Sequence, residues 1–358
     1  MARQGSIHEP GPVSPWHGGP ESLTPSRPSL RCPTMNLTKR QFTQALAASL
    51  LPLGQARAQA FPNHPLQLVI PFPPGGATDV AGRLIGKKLG ERLGQAVVID
   101  NRAGAGTVVG ATVVANAPAD GYTLLLSSGS TFTLNPALNP RLPYDPVKSF
   151  EPIGMAARVP MAVLVNKQVP IDTLKQLVSA VKQAPDRYAY ASFGSGTSSH
   201  FAGELVWNAL GIKLLHVPYK GSAPAMTDLI GGQVPISIDT VAAALPHVRS
   251  GKIKVIALTG PQRSPLLPEV PTVAESTGTD FAFDAWLALM APRGLPADAR
   301  QRLQVALAET MSDNDLRDKL LAAGMQKDWA SAQAVSKLID AELPRMRAIA
   351  LRAGIQAE

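Results

Sequence analysis

Short apolar runs alternate along the chain with longer segments in which apolar residues recur every three or four positions. Short runs are typical of buried strands, and the longer spacing is typical of helices with one buried face. Between 65 and 130 the pattern predicts strand 66–70, helix 80–93, strand 96–100, helix 108–115 and strand 122–126. This order indicates a mainly parallel sheet with helices on both faces.

A second series of strands and helices follows a loop-rich segment at 136–152. It is predicted to comprise helix 171–183, strand 188–192, helix 199–210, strand 213–217, helix 223–231, strand 235–238, helix 245–250 and strand 253–258. The last predicted helices are 297–311, 313–323 and 331–350. Two successive series of about 100 residues each predict an α/β protein with two lobes.

The first sixty residues have a different pattern. Residues 1–34 hold seven of the 33 prolines and show no period, so we expect a disordered or mis-started extension without function. The segment 35–60 starts with a second methionine and two basic residues, continues with an apolar stretch and ends in Ala-Gln-Ala. This order predicts an export signal cleaved after Ala60 and a periplasmic protein. The alternative is a short amphipathic helix of the mature fold.

The basic part of this signal, 38–42 (TKRQF), resembles a twin-arginine export signal in which Lys39 replaces the first arginine. A mildly apolar centre and the presence of Arg57 near the cleavage site suit that route. The lysine leaves the general secretory route open. Met35 is the expected initiator, and Met1 is the alternative.

Charge and composition exclude several functional classes. The chain of 358 residues has 34 basic and 26 acidic residues, but without residues 1–60 the basic excess falls to four. Because aromatic residues make up 5% and no basic block remains, nucleic-acid binding is not expected. The single cysteine, Cys32, precedes the cleavage site, so the mature part has no thiol for a disulfide, a metal or a nucleophile. No apolar run approaches the ~20 residues of a membrane-spanning helix.

The loop 71–79 (PFPPGGATD) leads from a predicted strand into a predicted helix, where α/β proteins bind ligands. Gly75 and Gly76 allow positive φ angles and close approach of the backbone to a ligand. The unpaired amides of the first helical turn favour an anion. Thr78 and Asp79 either cap the helix or contact the ligand, and the alternative for the whole loop is a tight turn with a cap.

The loop 192–200 (SFGSGTSSH) is a second connection from strand to helix. Its Gly-Ser-Gly sequence and its hydroxyls predict a neutral cradle for a carboxylate. Ser199 stands where a dinucleotide fingerprint has its third glycine, and no acidic residue follows at the expected spacing, so NAD binding is not expected. His200 is interpreted as a polar residue of the first helical turn rather than as a catalytic base.

Two further polar positions follow predicted strands. The loop 127–131 (SSGST) is either a plain surface loop or part of a site, and Asp239 is either a helix cap or a ligand contact. Phosphate-binding, zinc-protease and GxSxG motifs are absent and the histidines lack metal-ligand spacing, so no cofactor and no metal are expected. A secreted serine hydrolase that uses Ser195 or Ser130 stays open as an alternative function.

Five segments together resemble one family. They are 71–79, 101–106 (NRAGAG), 119–124 (ADGYTL), 217–221 (VPYKG) with 223–225 (APA), and 268–275 (PEVPTVAE). In this order, behind an export signal, they are similar to the extracytoplasmic solute receptors of the tripartite tricarboxylate transporter group, also called Bordetella uptake gene receptors. The resemblance runs from about residue 65 to the C-terminus.

The resemblance implies a type II periplasmic binding protein fold, with two α/β lobes that are joined by two crossing strands and close on a ligand. The first lobe would comprise 61–160 and 286–358, including the C-terminal helices, and the second lobe 161–285. Each lobe would have a mainly parallel sheet. The implied function is that of a receptor without catalytic activity, which we expect to be a monomer. It would deliver a dicarboxylate, tricarboxylate, amino acid or aromatic acid to transporter membrane subunits, or, as an orphan, feed a sensor.

The resemblance also implies that backbone amides and hydroxyls of the loops 74–79 and 194–199 hold the carboxylate, with 127–131 and Asp239 completing the cleft. The implied residues are Pro74, Gly75, Gly76, Ala77, Thr78, Asp79, Ser127, Ser128, Ser130, Thr131, Gly194, Ser195, Gly196, Thr197, Ser199 and Asp239. None is lysine or arginine, and neutral donors lose less to desolvation than a buried charge pair does. Residues 131–132 are expected to influence which acid binds.

Overall fold

The computed structural model describes residues 61–356. The predicted extension (1–34) and the predicted export signal (35–60) lie outside the described residues. The strands are β1 (Leu66–Ile70), β2 (Val97–Asn101), β3 (Thr123–Ser128), β4 (Phe150–Val159), β5 (Met161–Asn166), β6 (Ala189–Ser192), β7 (Leu215–Pro218), β8 (Ile236–Thr240), β9 (Ile253–Leu258), β10 (Ala285–Pro292) and β11 (Gln326–Ser331).

The helices surround these strands. They are α1 (Ala77–Leu93), α2 (Val108–Ala115), α3 (Asn135–Leu138), α4 (Leu174–Gln183), α5 (Ser198–Leu210), α6 (Ser222–Ile230), α7 (Val241–Arg249), α8 (Val273–Thr277), α9 (Ala297–Ser312), α10 (Asn314–Ala322) and α11 (Ala332–Ala353). A π-helical turn at Ser130–Leu134 leads into α3. Among the described residues, no helix is both long enough and apolar enough to cross a membrane.

The strands form two sheets, which confirms the predicted α/β fold class. The first sheet has the order β11-β4-β10-β3-β1-β2, and the second has the order β7-β6-β8-β5-β9. Both sheets are mixed rather than mainly parallel. Pairing is parallel in β2-β1-β3 and in β7-β6-β8, and antiparallel in the rest. The antiparallel pairs all involve β4, β5 or β10, the strands at the two connections between the sheets.

The sequence pattern missed four strands, β4, β5, β10 and β11. The segment 136–152 was predicted to be loop-rich, but its last residue, Pro152, lies in β4 opposite Met290, next to a register irregularity between Leu289 and Met290. A proline is tolerated at such an irregularity because the hydrogen-bond ladder is interrupted there. The predicted helix 245–250 is also wrong at its start, because Thr240 caps α7 and the helix begins at Val241.

Two connections join the sheets. Strand β4 of the first sheet passes through Pro160 directly into β5 of the second, and residues 259–284 lead back from β9 to β10. The two connections are tied together where Thr259 donates its amide to Met161 O (3.0 Å) and its hydroxyl to Phe283 O (2.6 Å). The two sheets thus follow the ranges expected for two lobes, and the division into lobes that move separately stays a prediction.

Helix α1 shows how burial selects the helical pattern. Ala81, Ile85 and Leu89 recur every fourth position and are all fully buried in the part of the core next to the first sheet, which is called the first sheet's side below. Gly94 ends the helix with a positive φ and donates its amide to Gly90 O. Burying each large apolar side chain contributes about 1.5–3 kcal/mol, which fixes the helix that follows the predicted binding loop.

The C-terminal helix α11 is attached to the first sheet by a buried polar contact. Trp286 in β10 is almost fully buried and donates its indole N–H to Glu342 Oε2 at 2.8 Å. Thr133, in the π-helical turn, lies 3.1 Å from the other carboxylate oxygen. Burial raises the pKa of Glu342 above its usual value, while the indole hydrogen bond opposes that rise. The Glu342 side chain thus joins α11 to β10 and to the π-helical turn.

Glu342→Ala is expected to lower the free energy of unfolding by about 1–3 kcal/mol, because the buried indole N–H loses its acceptor. Glu309→Ala, at an exposed position of α9, is the control for removing a carboxylate from a helix. Urea unfolding of both variants measures the difference. Equal midpoints for the two variants would contradict this account of α11.

Candidate functional site

A cavity of about 40 Å³ lies between the two sheets. Its lining residues are Phe72, Pro73, Pro74, Gly76, Ala77, Thr78, Ser128, Val159, Phe193, Ser198, Gly221, Ser222, Thr240, Ala285 and Leu287. The lining includes residues from the parts of the fold around both sheets and the strand ends Val159 and Ala285 next to the two connections, and it contains no charged side chain. Its polar groups are hydroxyls and the backbone of four helix starts.

Helix α1 brings its first turn to this cavity. The helix starts at Ala77 after Gly76, and no side chain caps it. The first amides of an uncapped helix have no partner within the helix and carry the positive end of its dipole. Gly75, with φ of 85°, makes the turn that a residue with a Cβ rarely adopts. The first predicted loop therefore does place backbone donors at the cavity.

Asp79 does not line the cavity but holds this loop in place. The carboxylate accepts hydrogen bonds from Gly75 N (3.0 Å), Arg83 Nε (3.1 Å) and Asn101 Nδ2 (3.0 Å). Burial raises the pKa of Asp79, but the hydrogen bonds from these three groups outweigh that effect and hold its pKa below the usual value. The Asp79 side chain is not part of the cavity lining, because its carboxylate faces Gly75, Arg83 and Asn101, and a ligand contact by Asp79 stays a prediction.

Helix α5 contributes Ser198, which contacts the first sheet's side across the cavity. Ser198 N donates to Ser130 Oγ at 3.0 Å, and the two hydroxyl oxygens are 3.1 Å apart. Ser130 itself is fully buried in the π-helical turn. This pair is a hydrogen bond between the two sheets' sides that forms when they are close together.

Helices α6 and α7 begin on the opposite side of the cavity. Ser222 is the first residue of α6, which has no side-chain cap, and Thr240 caps α7 by accepting from Ala243 N at 3.1 Å. Asp239 lies behind both residues and is fully buried. Its Oδ1 accepts from Ser222 Oγ at 2.9 Å and from Thr240 N at 2.7 Å. Asp239 therefore supports the cavity wall and is not itself part of the lining.

Burial raises the pKa of Asp239 from 3.8 to about 6, although the hydrogen bonds from Thr240 and Ser222 act in the opposite direction. The other carboxylate oxygen, Oδ2, has no hydrogen-bond partner in the described part of the chain. An ionised carboxylate in such a place lowers stability, because burial disfavours the charge.

Three other predicted residues point away from the cavity. Ser127 Oγ lies 2.6 Å from Thr131 Oγ1, and Thr131 Oγ1 donates to Thr107 Oγ1 at 2.8 Å, so these hydroxyls form a buried network within the first sheet's side. Ser199 donates its hydroxyl to Ile238 O in the second sheet. The sequence showed where these residues follow a strand, but not which way each side chain turns.

A larger cavity of about 740 Å³ adjoins the first and forms the mouth of the cleft. The predicted residues Gly194, Ser195, Gly196 and Thr197 line this mouth rather than the inner cavity. Gly196 has a φ of 71°, and a Cβ there would overlap Asn135 Oδ1, so this loop needs glycine to approach the first sheet's side. Phe72 and Phe193 line both cavities, and their rings pack edge to face with centroids 6.2 Å apart.

The structure therefore brings five of the predicted residues to the inner cavity. They are Pro74, Gly76, Ala77, Thr78 and Ser128. Thr240 also lines this cavity, next to the predicted residue Asp239, and Ser222 was missed as an individual site residue. The signal that could have found Ser222 is the segment 217–225, which, like the two predicted loops, leads from a strand into a helix.

The residues at this site do not form a hydrolytic triad around Ser130, whose hydroxyl is held by Ser198 rather than by an imidazole. His200 Nδ1 accepts a hydrogen bond from the Gly196 amide at 3.2 Å, and its ring stacks on that of His216. These contacts explain why a histidine lies in the first turn of α5, next to the loop. Within residues 61–356, no group of three or more histidine, cysteine, aspartate or glutamate side chains could hold a metal ion.

The raised pKa of Asp239 predicts a pH-dependent effect on stability. Because the folded pKa exceeds the unfolded one, the native state binds more protons between about pH 4 and pH 6, and the free energy of unfolding from this group falls as the pH rises through that range. Asp239→Asn removes this effect. The difference in Tm, variant minus native, should therefore increase between pH 4 and pH 7.

Differential scanning calorimetry at several pH values measures this difference, with Asp318→Asn at the exposed surface of α10 as the control for losing one carboxylate. Parallel Tm curves for Asp239→Asn and the native protein would show that Asp239 does not titrate in this range.

Solved structures similar to this fold include the following three. The periplasmic binding protein BugD is 34% identical with a TM-score of 0.79, and the match covers 83% of this chain and all of that one. R. palustris Rpa4515 with adipate is 34% identical with a TM-score of 0.80, covering 83% of this chain and 99% of that one. MatC (Rpa3494) from Rhodopseudomonas palustris, with bound malate, is 32% identical with a TM-score of 0.76, covering 81% and 99%.

Residues 81–355 match the family model described as tripartite tricarboxylate transporter family receptor. The matched structures are those of periplasmic solute receptors rather than enzymes, so the serine hydrolase alternative is not supported. The family match covers well over half of the chain and includes the helices α5, α6 and α7 that line the cavity. The chain belongs to the receptor family of the tripartite tricarboxylate transporters.

Proposed function

We propose that this protein is a periplasmic receptor that binds a small carboxylate in the cavity between the two sheets and delivers it to the membrane subunits of a tripartite transporter. One observation carries the proposal: the starts of α1 and α6, which no side chain caps, meet the start of α5 at a cavity whose lining has no charged side chain. Unpaired amides at helix starts need an acceptor, and a carboxylate supplies two oxygens for them.

The comparison between helices supports this assignment. Away from the cavity, α4, α8, α10 and α11 are capped by Thr173, Thr272, Asp313 and Ser331, whose side chains accept amides of the first turn. At the cavity, the starts of α1 and α6 lack such a side chain, while the first amide of α5, Ser198 N, donates to Ser130 Oγ across the cleft. A ligand oxygen can take the place of the missing cap at α1 and α6, which makes binding a completion of two helix ends.

The chemistry of the ligand follows from the lining. An anion held by amides and hydroxyls need not be paired with a buried lysine or arginine, so no second charge has to be desolvated. Two of the similar structures contain a dicarboxylate, adipate in one and malate in the other. We propose a carboxylate of the same class for this chain.

Binding requires the two sheets to move apart. An inner cavity of about 40 Å³ holds a few water molecules, because one water occupies about 10–15 Å³ on the same scale. The connections at Pro160 and 259–284 are the proposed hinge, and the Ser130–Ser198 hydrogen bond is a contact of the closed form. The ligand stabilises closure because it binds groups from both sides.

The proposal includes the location of the receptor. The segment 35–60 is proposed to direct export and to be removed after Ala60, by either the twin-arginine or the general secretory route. Receptors of this family act outside the cytoplasm, which agrees with a mature chain that has no cysteine. The proposed partners are the transporter's membrane subunits, which receive the ligand from a monomer.

Carboxylate binding should be nearly independent of salt, because the cavity offers neutral donors rather than cations. Isothermal titration calorimetry with a panel of dicarboxylates, tricarboxylates, amino acids and aromatic acids is the test. For the acid that binds, Kd should change less than about threefold between 50 and 500 mM NaCl. The matched amide or alcohol, which lacks the charge, is the control ligand and should not bind.

Two outcomes would contradict the proposal. If no acid of the panel binds, the cavity is not a carboxylate site. If Kd rises tenfold or more with salt, cations hold the ligand and the neutral cavity is not the place where it binds.

Ser130→Ala removes the acceptor for Ser198 N and should weaken ligand binding by about two- to tenfold, corresponding to one hydrogen bond of the closed form. Ser179→Ala, at an exposed position of α4, is the control and should leave Kd unchanged. Calorimetric titration of both variants with the same acid gives the comparison. An unchanged Kd for Ser130→Ala would show that this contact does not contribute to closure.

A further inference from the structure

The hydroxyl of Ser222 has a fixed direction. Its Oγ donates to Asp239 Oδ1 at 2.9 Å, and Ser222 lines the inner cavity. A serine hydroxyl has one proton and two lone pairs. Since its proton is used by Asp239, Ser222 offers the cavity an acceptor and no donor.

The hydroxyl of Thr240, which lies next to Ser222 in the cavity wall, also has a fixed direction. Its Oγ1 accepts the Ala243 amide and lies 3.3 Å from Asp239 Oδ1 as a donor, so its proton also points away from the cavity. Asp239 is fully buried, and its Oδ2 has no hydrogen-bond partner among residues 61–356. This wall of the cavity therefore combines hydroxyl lone pairs with a nearby carboxylate, and it favours a hydrogen-bond donor on the ligand.

The opposite wall has the reverse character. Ser128 Oγ accepts the Ser130 amide at 3.2 Å, which leaves its proton for a ligand, and the first amides of α1 lie beside it in the lining. The first sheet's residues thus offer the cavity donors, whereas the hydroxyls of Ser222 and Thr240 on the opposite wall offer acceptors.

Ser222 also shows how far apart the two ligand groups should be. It is the first residue of the uncapped helix α6, so its own amide is a donor within the same residue as the acceptor hydroxyl. A ligand that satisfies both needs an acceptor and a donor on neighbouring atoms. A carboxylate with a hydroxyl or ammonium group on the adjacent carbon has this arrangement.

We infer that Ser222, oriented by the positioning residue Asp239, selects 2-hydroxy- or 2-aminocarboxylates over the carboxylates that lack this donor. The inference rests on the proposed function, namely that the cavity binds a carboxylate, and adds which class of carboxylate it prefers. A plain or 2-oxo acid leaves the Ser222 lone pairs unpaired, or places a second acceptor against them, and an unpaired buried polar group weakens binding.

The test compares the binding of acids that share a carbon skeleton and differ at carbon 2, with the native protein at pH 7.5. The three-carbon series is propionate, lactate, alanine and pyruvate; the four-carbon series is succinate, malate, aspartate and oxaloacetate; the five-carbon series is glutarate, 2-hydroxyglutarate, glutamate and 2-oxoglutarate. Within the series that binds, calorimetry should show the hydroxy or amino acid bound at least about tenfold more tightly than its plain and 2-oxo counterparts. These measurements do not depend on any variant being folded.

Two variants locate the preference. Ser222→Ala should weaken binding of the hydroxy or amino acid by about tenfold and leave the plain acid nearly unchanged, which removes the preference. Ser128→Ala is the matched control from the opposite wall and should weaken both members of a pair by a similar factor. Circular dichroism and melting curves establish that each variant is folded before titration.

The outcomes separate this inference from the function on which it rests. If plain or 2-oxo acids bind as tightly as the donor-bearing acid, or if the preference survives in Ser222→Ala, the inference is overturned while the receptor function stands. If only acids outside these series bind and none of them carries a 2-hydroxy or 2-amino group, the inference is overturned; if no acid of the series or of the wider panel binds, the proposed function fails and the inference fails with it.

Discussion

The structure depends on where its helix starts are left uncapped. An amide at the start of a helix needs an acceptor, and in α4, α8, α10 and α11 a serine, threonine or aspartate side chain supplies it. At the cavity, the starts of α1 and α6 have no such side chain, and the first amide of α5 donates to Ser130 across the cleft. The topology explains why they meet, since strands β1, β6 and β7 end at the cleft and each leads into one of these helices.

The acidic residues of the cleft do not line the cavity; they hold the surrounding residues in place. Asp79 uses its carboxylate to fix the loop before α1, and Asp239 uses its own to fix Ser222 and Thr240. The differing pKa directions have a common physical origin. Asp79 receives charged and neutral donors that outweigh burial, whereas Asp239 receives fewer donors and is more deeply buried. Both carboxylates lie outside the cavity lining and position the residues that form it or lead to it.

The sequence predicted the parts of the fold in which local pattern and tertiary packing agree. Strand β9 and helix α2 begin and end where the pattern places them, because each has a short apolar segment between turn residues. Strands β4 and β5 were missed because the segment 136–152 reads as loop-rich and because both strands depend on distant pairing, β4 with β10 and β5 with β8 and β9. The loops of the site were likewise predictable, but the orientations of Ser127, Thr131 and Asp239 were not, since they depend on side-chain partners that the pattern does not place, such as Thr107 for Thr131 and Ser222 for Asp239.

The most direct test of the central claim is a crystal structure of the protein with the carboxylate that binds most tightly in calorimetry. The account predicts that the carboxylate oxygens lie within hydrogen-bond distance of first-turn amides of α1 and of at least one helix from the second sheet's side, with no lysine or arginine in contact. A ligand bound outside this cavity, or paired with a cationic side chain, would contradict it.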